Sequence, residues 1–294
     1  MKYYLDYNAS TPLHPKAIQA MQPFLEEHFG NPSSIHSFGR IARIALDQVR
    51  QELAGLIGAK SKEIVFTSGG TESNNLAIFG IAHALRKKGA HIITCATEHH
   101  AVLHPCKRLE LEGFKITYLP VNSLGQIDLK ILEQSFRPDT ILVSIMSTNN
   151  ETGTCQPVEE IGSLCRERKV AFHCDAIQSF SKERVNVDEW NVDALSLTAH
   201  KFYGPKGAAL LYIRSGIPLE PVQLGGFHEN ERRAGTENVA AAVGMAAAAH
   251  LATEDMEGEN KRLFQLTEKL WQTISTSING VYRNGHPTQR IGNT

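Results

Sequence analysis

Short apolar, β-branched runs alternate along the chain with longer stretches whose apolar positions recur every three or four residues. The runs at 64–67, 91–96, 115–119, 141–146, 170–174, 194–198 and 208–213 predict strands. Between most of them lies a segment of helical spacing, at 71–88, 98–112, 129–136 and 157–168, the last opening with Pro157 where a helix tolerates it. Strand and helix repeating in this way predict an α/β fold, with a mostly parallel sheet sandwiched by helices. Ahead of the first strand, 38–58 carries Ile41, Ala45, Val49, Leu53 and Leu56 at helical spacing, a stripe that reads as core. Beyond the last strand, the alanine-rich 236–251 and the more polar 258–278 predict two further helices leading into a second domain. The expected division is a large domain at 16–255 and a partial small α+β domain made of 1–15 and 256–294.

At 294 residues the chain is long enough for one large core and part of another. Hydrophobic residues at 41% and charged residues at 21% exclude a disordered or fibrous class. The formal net charge is −1 and the basic residues are dispersed, which turns the expectation from nucleic acid or an anionic membrane surface to a small molecule. No apolar run reaches the roughly 18 residues of a membrane helix, and the amino terminus does not read as a signal peptide. Five cysteines, odd in number and without C-x-x-C spacing, argue against a disulfide framework or a zinc site, so no metal is expected and a reducing cytoplasm fits best.

Three segments carry candidate chemistry. Ser68-Gly69-Gly70-Thr71-Glu72-Ser73-Asn74-Asn75 follows a strand and opens a helix, so glycines and a helix N-terminus offer N–H groups to an anion. The same residues also make an ordinary tight turn, and they match neither a Walker A loop nor a dinucleotide fingerprint. His173-Cys174-Asp175-Ala176-Ile177-Gln178-Ser179 lies at a strand end, the sheet edge where α/β proteins bind ligands. An acid there suits the nitrogen of a pyridine ring used as an electron sink, although Asp is also a common helix cap. In Ser196-Leu197-Thr198-Ala199-His200-Lys201, a lysine just past a buried strand can lose solvation and become a nucleophilic amine, with Thr198 and His200 beside it as phosphate donors. A lone lysine is more often solvated. That default weakens when anion cup, acid and lysine follow in order at the ends of sheet strands.

These segments, together with Tyr4-Leu5-Asp6-Tyr7-Asn8-Ala9-Ser10-Thr11-Pro12, Gly30-Asn31-Pro32-Ser33-Ser34, Glu98-His99, Asn149-Asn150-Glu151-Thr152-Gly153 and Arg232-Arg233-Ala234-Gly235-Thr236-Glu237-Asn238, resemble the cysteine desulfurases of the class V aminotransferase family. The resemblance spans essentially the whole chain. It implies the major domain of a pyridoxal 5'-phosphate-dependent transferase, aspartate aminotransferase-like in fold, that removes sulfur from L-cysteine to give L-alanine. By resemblance Lys201 would carry the cofactor as a Schiff base, Asp175 would face the ring nitrogen and Gln178 the ring hydroxyl. His99 would stack on the ring and move protons, and Asn150 would sit by the hydroxyl and the substrate. Gly70, Thr71, Thr198 and His200 would hold the phosphate, joined by Thr236 from the partner subunit of a homodimer. From the residues alone, His99 beside His100 reads as a surface pair and Asn150 as turn chemistry.

Family members are expected to continue for roughly another hundred residues, a stretch that would hold the substrate-gripping arginine and the cysteine that receives sulfur. None of Cys95, Cys106, Cys165 and Cys174, read as buried, substitutes for that cysteine, and Cys155 lies in a turn elsewhere. The 294-residue chain is therefore expected to bind cofactor weakly without turning over cysteine. The implied destination of the sulfur is a scaffold or acceptor protein for iron–sulfur cluster or thio-cofactor assembly. Alternatives are a selenocysteine lyase or another class V lyase or aminotransferase, a non-catalytic assembly module, and, least favoured, a nucleotide-binding sheet protein.

Overall fold

In the computed structural model, which describes residues 2–294, seven strands form a single sheet in the order β1-β7-β6-β5-β4-β2-β3. These are β1 (Ile64–Thr67), β2 (His91–Cys95), β3 (Lys115–Leu119), β4 (Thr140–Ser144), β5 (Ala171–Asp175), β6 (Ala194–Thr198) and β7 (Ala209–Ile213). Only β7 runs antiparallel to its neighbours, β1 and β6, so the other six strands share one direction. The mostly parallel sheet expected from the alternating pattern is thus observed. Every strand but β3 is buried along its full length, which is why the strand sequences read as continuous apolar runs. Side chains still alternate between faces: Ile92 and Leu142 belong to one core cluster, Ile93 and Val143 to the other.

Helices α1 (Pro15–Glu26), α2 (Ser37–Leu56), α3 (Gly70–Ala84), α4 (His100–Leu111), α5 (Leu129–Ser135), α6 (Val158–Arg168), α7 (Val239–Glu254) and α8 (Met256–Ser277) complete the molecule. On one face α3 and α4 bury Leu76, Ile78, Ile81, Val102 and Leu109. On the other, α2, α6 and α7 bury Leu46, Val49, Leu53, Ile161, Met245 and Ala249. The stripe read on 38–58 is therefore core at Val49 and Leu53, half-buried at Ala45 and Leu56, and exposed at Ile41. α7 is apolar all round because it is covered all round, packing against α1 and α2 with nine of its sixteen residues buried. It starts at Val239, three residues later than the pattern suggests, because the Asn238 side chain accepts from Ala241 N–H at 3.1 Å and caps it. α8 follows after Asp255 and, unlike α7, has no buried residue.

Candidate active site

β1 is antiparallel to β7 and β7 to β6, so the C-terminal ends of β1, β2, β4, β5 and β6 lie along one edge of the sheet. The loops leaving that edge enclose a cavity of about 670 Å³ lined by Asp6, Asn8, Gly70, Thr71, His99, Met146, Thr148, Asn150, Asp175, Gln178, Thr198, His200 and Lys201, among others. Nine of the ten residues selected from the sequence meet there. The tenth, Thr236, is exposed on the same chain in a separate cleft with Ser68 and Arg233.

At one wall, Gly69 precedes α3 and the N–H groups of its first turn have no intrahelical acceptor. Glycine at position 70 lets the Ile177 side chain lie against the start of α3, since a Cβ there would approach Ile177 Cδ1 to 2.1 Å and that side chain would have to turn away. Across the cavity, Thr198 ends β6 with its hydroxyl donating to Ala208 O at 3.3 Å, and His200 Nδ1 lies 3.3 Å from Ser10 Oγ. Burial, reinforced by the charges of Lys201 and Lys206, lowers the His200 pKa to about 4, so its ring is neutral at physiological pH.

Asp175 is buried at the end of β5. Its Oδ2 accepts from Asn74 Nδ2 at 2.6 Å and its Oδ1 from Ile177 N–H at 3.0 Å. Burial raises its pKa, opposed by these two donors and by His99 and Lys201 nearby. Gln178 donates to Asn8 O at 3.0 Å, while its Oε1 is buried without a hydrogen-bond partner. Lys201, in a short 3-10 turn directly after β6, donates to Asn8 O and, at 3.1 Å, to Ala9 O. Loss of solvation lowers its pKa, partly offset by Asp175, Asp6 and Glu151. That combination makes the neutral amine accessible for attack on a carbonyl carbon.

His99 caps α4, its Nδ1 accepting from Ala101 N–H at 3.0 Å. The bond orients the ring and leaves Nε2 to carry its proton. Preceding it, Glu98 is buried, accepts from Met146 N–H at 2.7 Å and has Oε2 without a partner; burial pushes its pKa well above the carboxylate range. Asn150 donates to Glu151 Oε1 at 2.7 Å at the cavity rim.

The sequence reading assigned no role to Asn74, Asn8, Ala9 or Asp6. Asn74 stands one helical turn after Gly70, and that spacing could have placed it on the cavity face of α3. Asp6, Asn8 and Ala9 lie in the N-terminal segment that carries the family resemblance, but nothing in its periodicity shows that it reaches a lysine about 190 positions away.

Residues 3–293 match the family model described as Aminotransferase class-V, and the chain belongs to that family. Among curated relatives, Cysteine desulfurase IscS of Dictyoglomus turgidum is 53% identical over 290 residues, covering 99% of this chain and 74% of the relative. A solved NifS-like protein superposes with a TM-score of 0.92 at 38% identity, over 94% of this chain and 76% of its own. A structure described as SspA in complex with cysteine gives 0.83 at 42% identity, over 85% and 72%.

Proposed function

We propose that the chain is the cofactor-binding part of a pyridoxal 5'-phosphate-dependent cysteine desulfurase, acting on L-cysteine to give L-alanine. One observation carries the reading above all: Lys201, its pKa lowered, shares one cavity with the buried acid Asp175 and the free N-terminus of α3. The donor set fits this cofactor, with Gln178 Oε1 as a buried acceptor lacking a partner within the chain and Asp175 held by neutral donors. Gly70, Thr71, Thr198 and His200 would hold the phosphate, Asp175 the ring nitrogen, Gln178 and Asn150 the ring hydroxyl, and Lys201 the aldehyde carbon. When bound, the cofactor supplies an electron sink for the bonds at the substrate α-carbon.

The chain's own residues supply the rest. Lys201 Nζ takes the proton from the substrate α-carbon, its low proton affinity keeping it in the accepting form. His99, held by its cap bond, would stack on the cofactor ring and pass a proton through Nε2. Asn74 and Ile177 N–H hold the Asp175 carboxylate in place. The sulfur passes to an enzyme cysteine thiolate other than the five of this chain, forming a persulfide as the carbon–sulfur bond breaks, and from there to an acceptor or scaffold protein for iron–sulfur or thio-cofactor assembly. The curated relatives named cysteine desulfurase, together with the relative solved with cysteine, favour cysteine over selenocysteine as substrate.

The working unit is a homodimer in which Thr236 reaches the phosphate of the other copy, and the domain boundary falls at 255, where buried α7 gives way to exposed α8. Five free cysteines suit a reducing compartment such as the cytoplasm. Among the described residues no helix is long and apolar enough to cross a membrane.

Borohydride reduction after loading with pyridoxal phosphate tests the reading. A single pyridoxyl label on the peptide bearing Lys201 is expected. A label elsewhere, or none in saturated protein, overturns it.

A further inference from the structure

Glu72 stands in the first turn of α3, one residue after Thr71. A carboxylate at a helix N-terminus is ordinarily favourable, but here it would stand beside a phosphate dianion and oppose it. Arg233 meets it from the loop after the sheet: Nε donates to Oε1 at 2.7 Å and Nη2 to Oε2 at 3.3 Å. Both side chains are largely buried, at 16% and 21% exposure. Oε2 also accepts from Ser68 N–H at 2.8 Å and from the Ser68 hydroxyl. Burial alone would raise the Glu72 pKa, but Arg233 and the Ser68 donors outweigh it and leave it below the ordinary value, so the carboxylate stays ionised. Gly235, at φ +112°, lets the guanidinium lie close to the turn, since a Cβ there would come within 3.1 Å of Arg233 Nη1.

We propose that Arg233 is a positioning residue for the phosphate cup: it cancels the charge of Glu72 and holds that carboxylate over Ser68, so that the first turn of α3 accepts a phosphate dianion. This rests on the cavity being the pyridoxal phosphate site. The pair links the cup to the loop bearing Thr236, three residues further on.

The experiment compares wild type, R233Q, E72Q and E72Q/R233Q, reading dissociation constants for pyridoxal phosphate and for pyridoxal, and thermal stabilisation by inorganic phosphate. R233Q is expected to weaken pyridoxal phosphate about tenfold, or ~1.4 kcal/mol, and to reduce stabilisation by phosphate. E72Q keeps an acceptor for Ser68 N–H and should bind the phosphate ester at least as tightly as wild type. The double variant should return to within about threefold, with pyridoxal binding the same in all four proteins. If R233Q has no effect, if the double variant is no better than R233Q, or if pyridoxal loses the same factor, Arg233 does not act by charge and the inference is overturned. A wild type that binds neither aldehyde sinks the underlying reading instead.

Discussion

Cys95 lies on β2, Cys174 on β5, Cys106 on α4 and Cys165 on α6, all buried. Burial, helped by Glu98, pushes the Cys95 thiol up to about 11 and Cys106 up to about 12. Cys155 is half-buried, and burial with the Glu183 carboxylate, 2.7 Å from its Sγ, pushes it up as well. A thiol attacks only as its thiolate. Incubated with L-cysteine alone, the chain should therefore release no alanine above background and form no persulfide. Native protein at pH 8 should resist alkylation at four of its cysteines and label Cys155 slowly, all five reacting in urea; rapid labelling of one native thiol would identify an acceptor that burial argues against. The placement of the four buried cysteines was legible because each lies in a predicted strand or helix, and Cys155 read as a turn residue. Lys201, Asp175 and Gly70 were legible because Asp175 ends a strand and the other two lie in, or at the end of, the short turns that leave one. His99 and Asn150 rested on resemblance: from the residues alone His99 reads as a surface pair with His100, and both are exposed, with His99 also capping α4, while Asn150 sits in the turn its neighbours suggest. What places them at the cavity is the sheet edge, a tertiary feature.

His173 sits on β5 two residues before Asp175 and joins three strands: its Nδ1 is 2.9 Å from Ser144 Oγ on β4 and its Nε2 3.0 Å from Ser196 Oγ on β6. Fully buried, its pKa falls to about 3, so the ring is neutral. Because the folded value lies below the unfolded one of about 6.5, the unfolded chain binds the extra proton between these limits. The contribution is complete above pH 6.5 and is lost, at up to ~1.4 kcal/mol per pH unit, as pH falls towards 3. Urea unfolding of wild type and His173→Asn at pH 7.5 and 5.5 should show the variant less stable at pH 7.5, by about 1–3 kcal/mol for imperfectly replaced buried hydrogen bonds, with the gap narrowing at pH 5.5. A gap that stays constant would show that His173 is not held neutral by the fold. Strand positions matched the apolar runs to within about two residues because burial on both faces leaves little else for such runs to do. α1 was not anticipated: a proline at 23 argues against a helix there, and only Ala17 of it is buried.

Leu25, Phe29, Ile35, Phe38, Ile41 and Ile44 are exposed along the end of α1 and the start of α2, with the rings of Phe29 and Phe38 6.1 Å apart. Leu224 and Phe227 are exposed in the loop before α7, and that loop is tied to α2 by the buried pair of Arg50 and Glu229 at 2.7 Å. Glu229, Asn230 and Glu231 all adopt positive φ, a left-handed turn that costs about 1–2 kcal/mol per residue and that the ion pair and Phe66 N–H to Glu229 Oε2, 3.0 Å, hold in place. Apolar side chains exposed in such number on a folded surface indicate a protein partner, and the loop that Glu229 ties to α2 also carries Thr236. A two-fold dimer on this face would cover these side chains and bring Thr236 to the neighbouring cup, where the chain's own Thr236 does not reach. Sedimentation should give twice the chain mass for wild type. Ile44→Glu, a change at a 66% exposed position, should give a folded monomer that binds pyridoxal phosphate more weakly while binding pyridoxal nearly as well. A wild type that sediments as a monomer yet holds the phosphate ester as tightly as the aldehyde chemistry allows would leave Thr236 without a role, and the exposed face would then belong to a different partner.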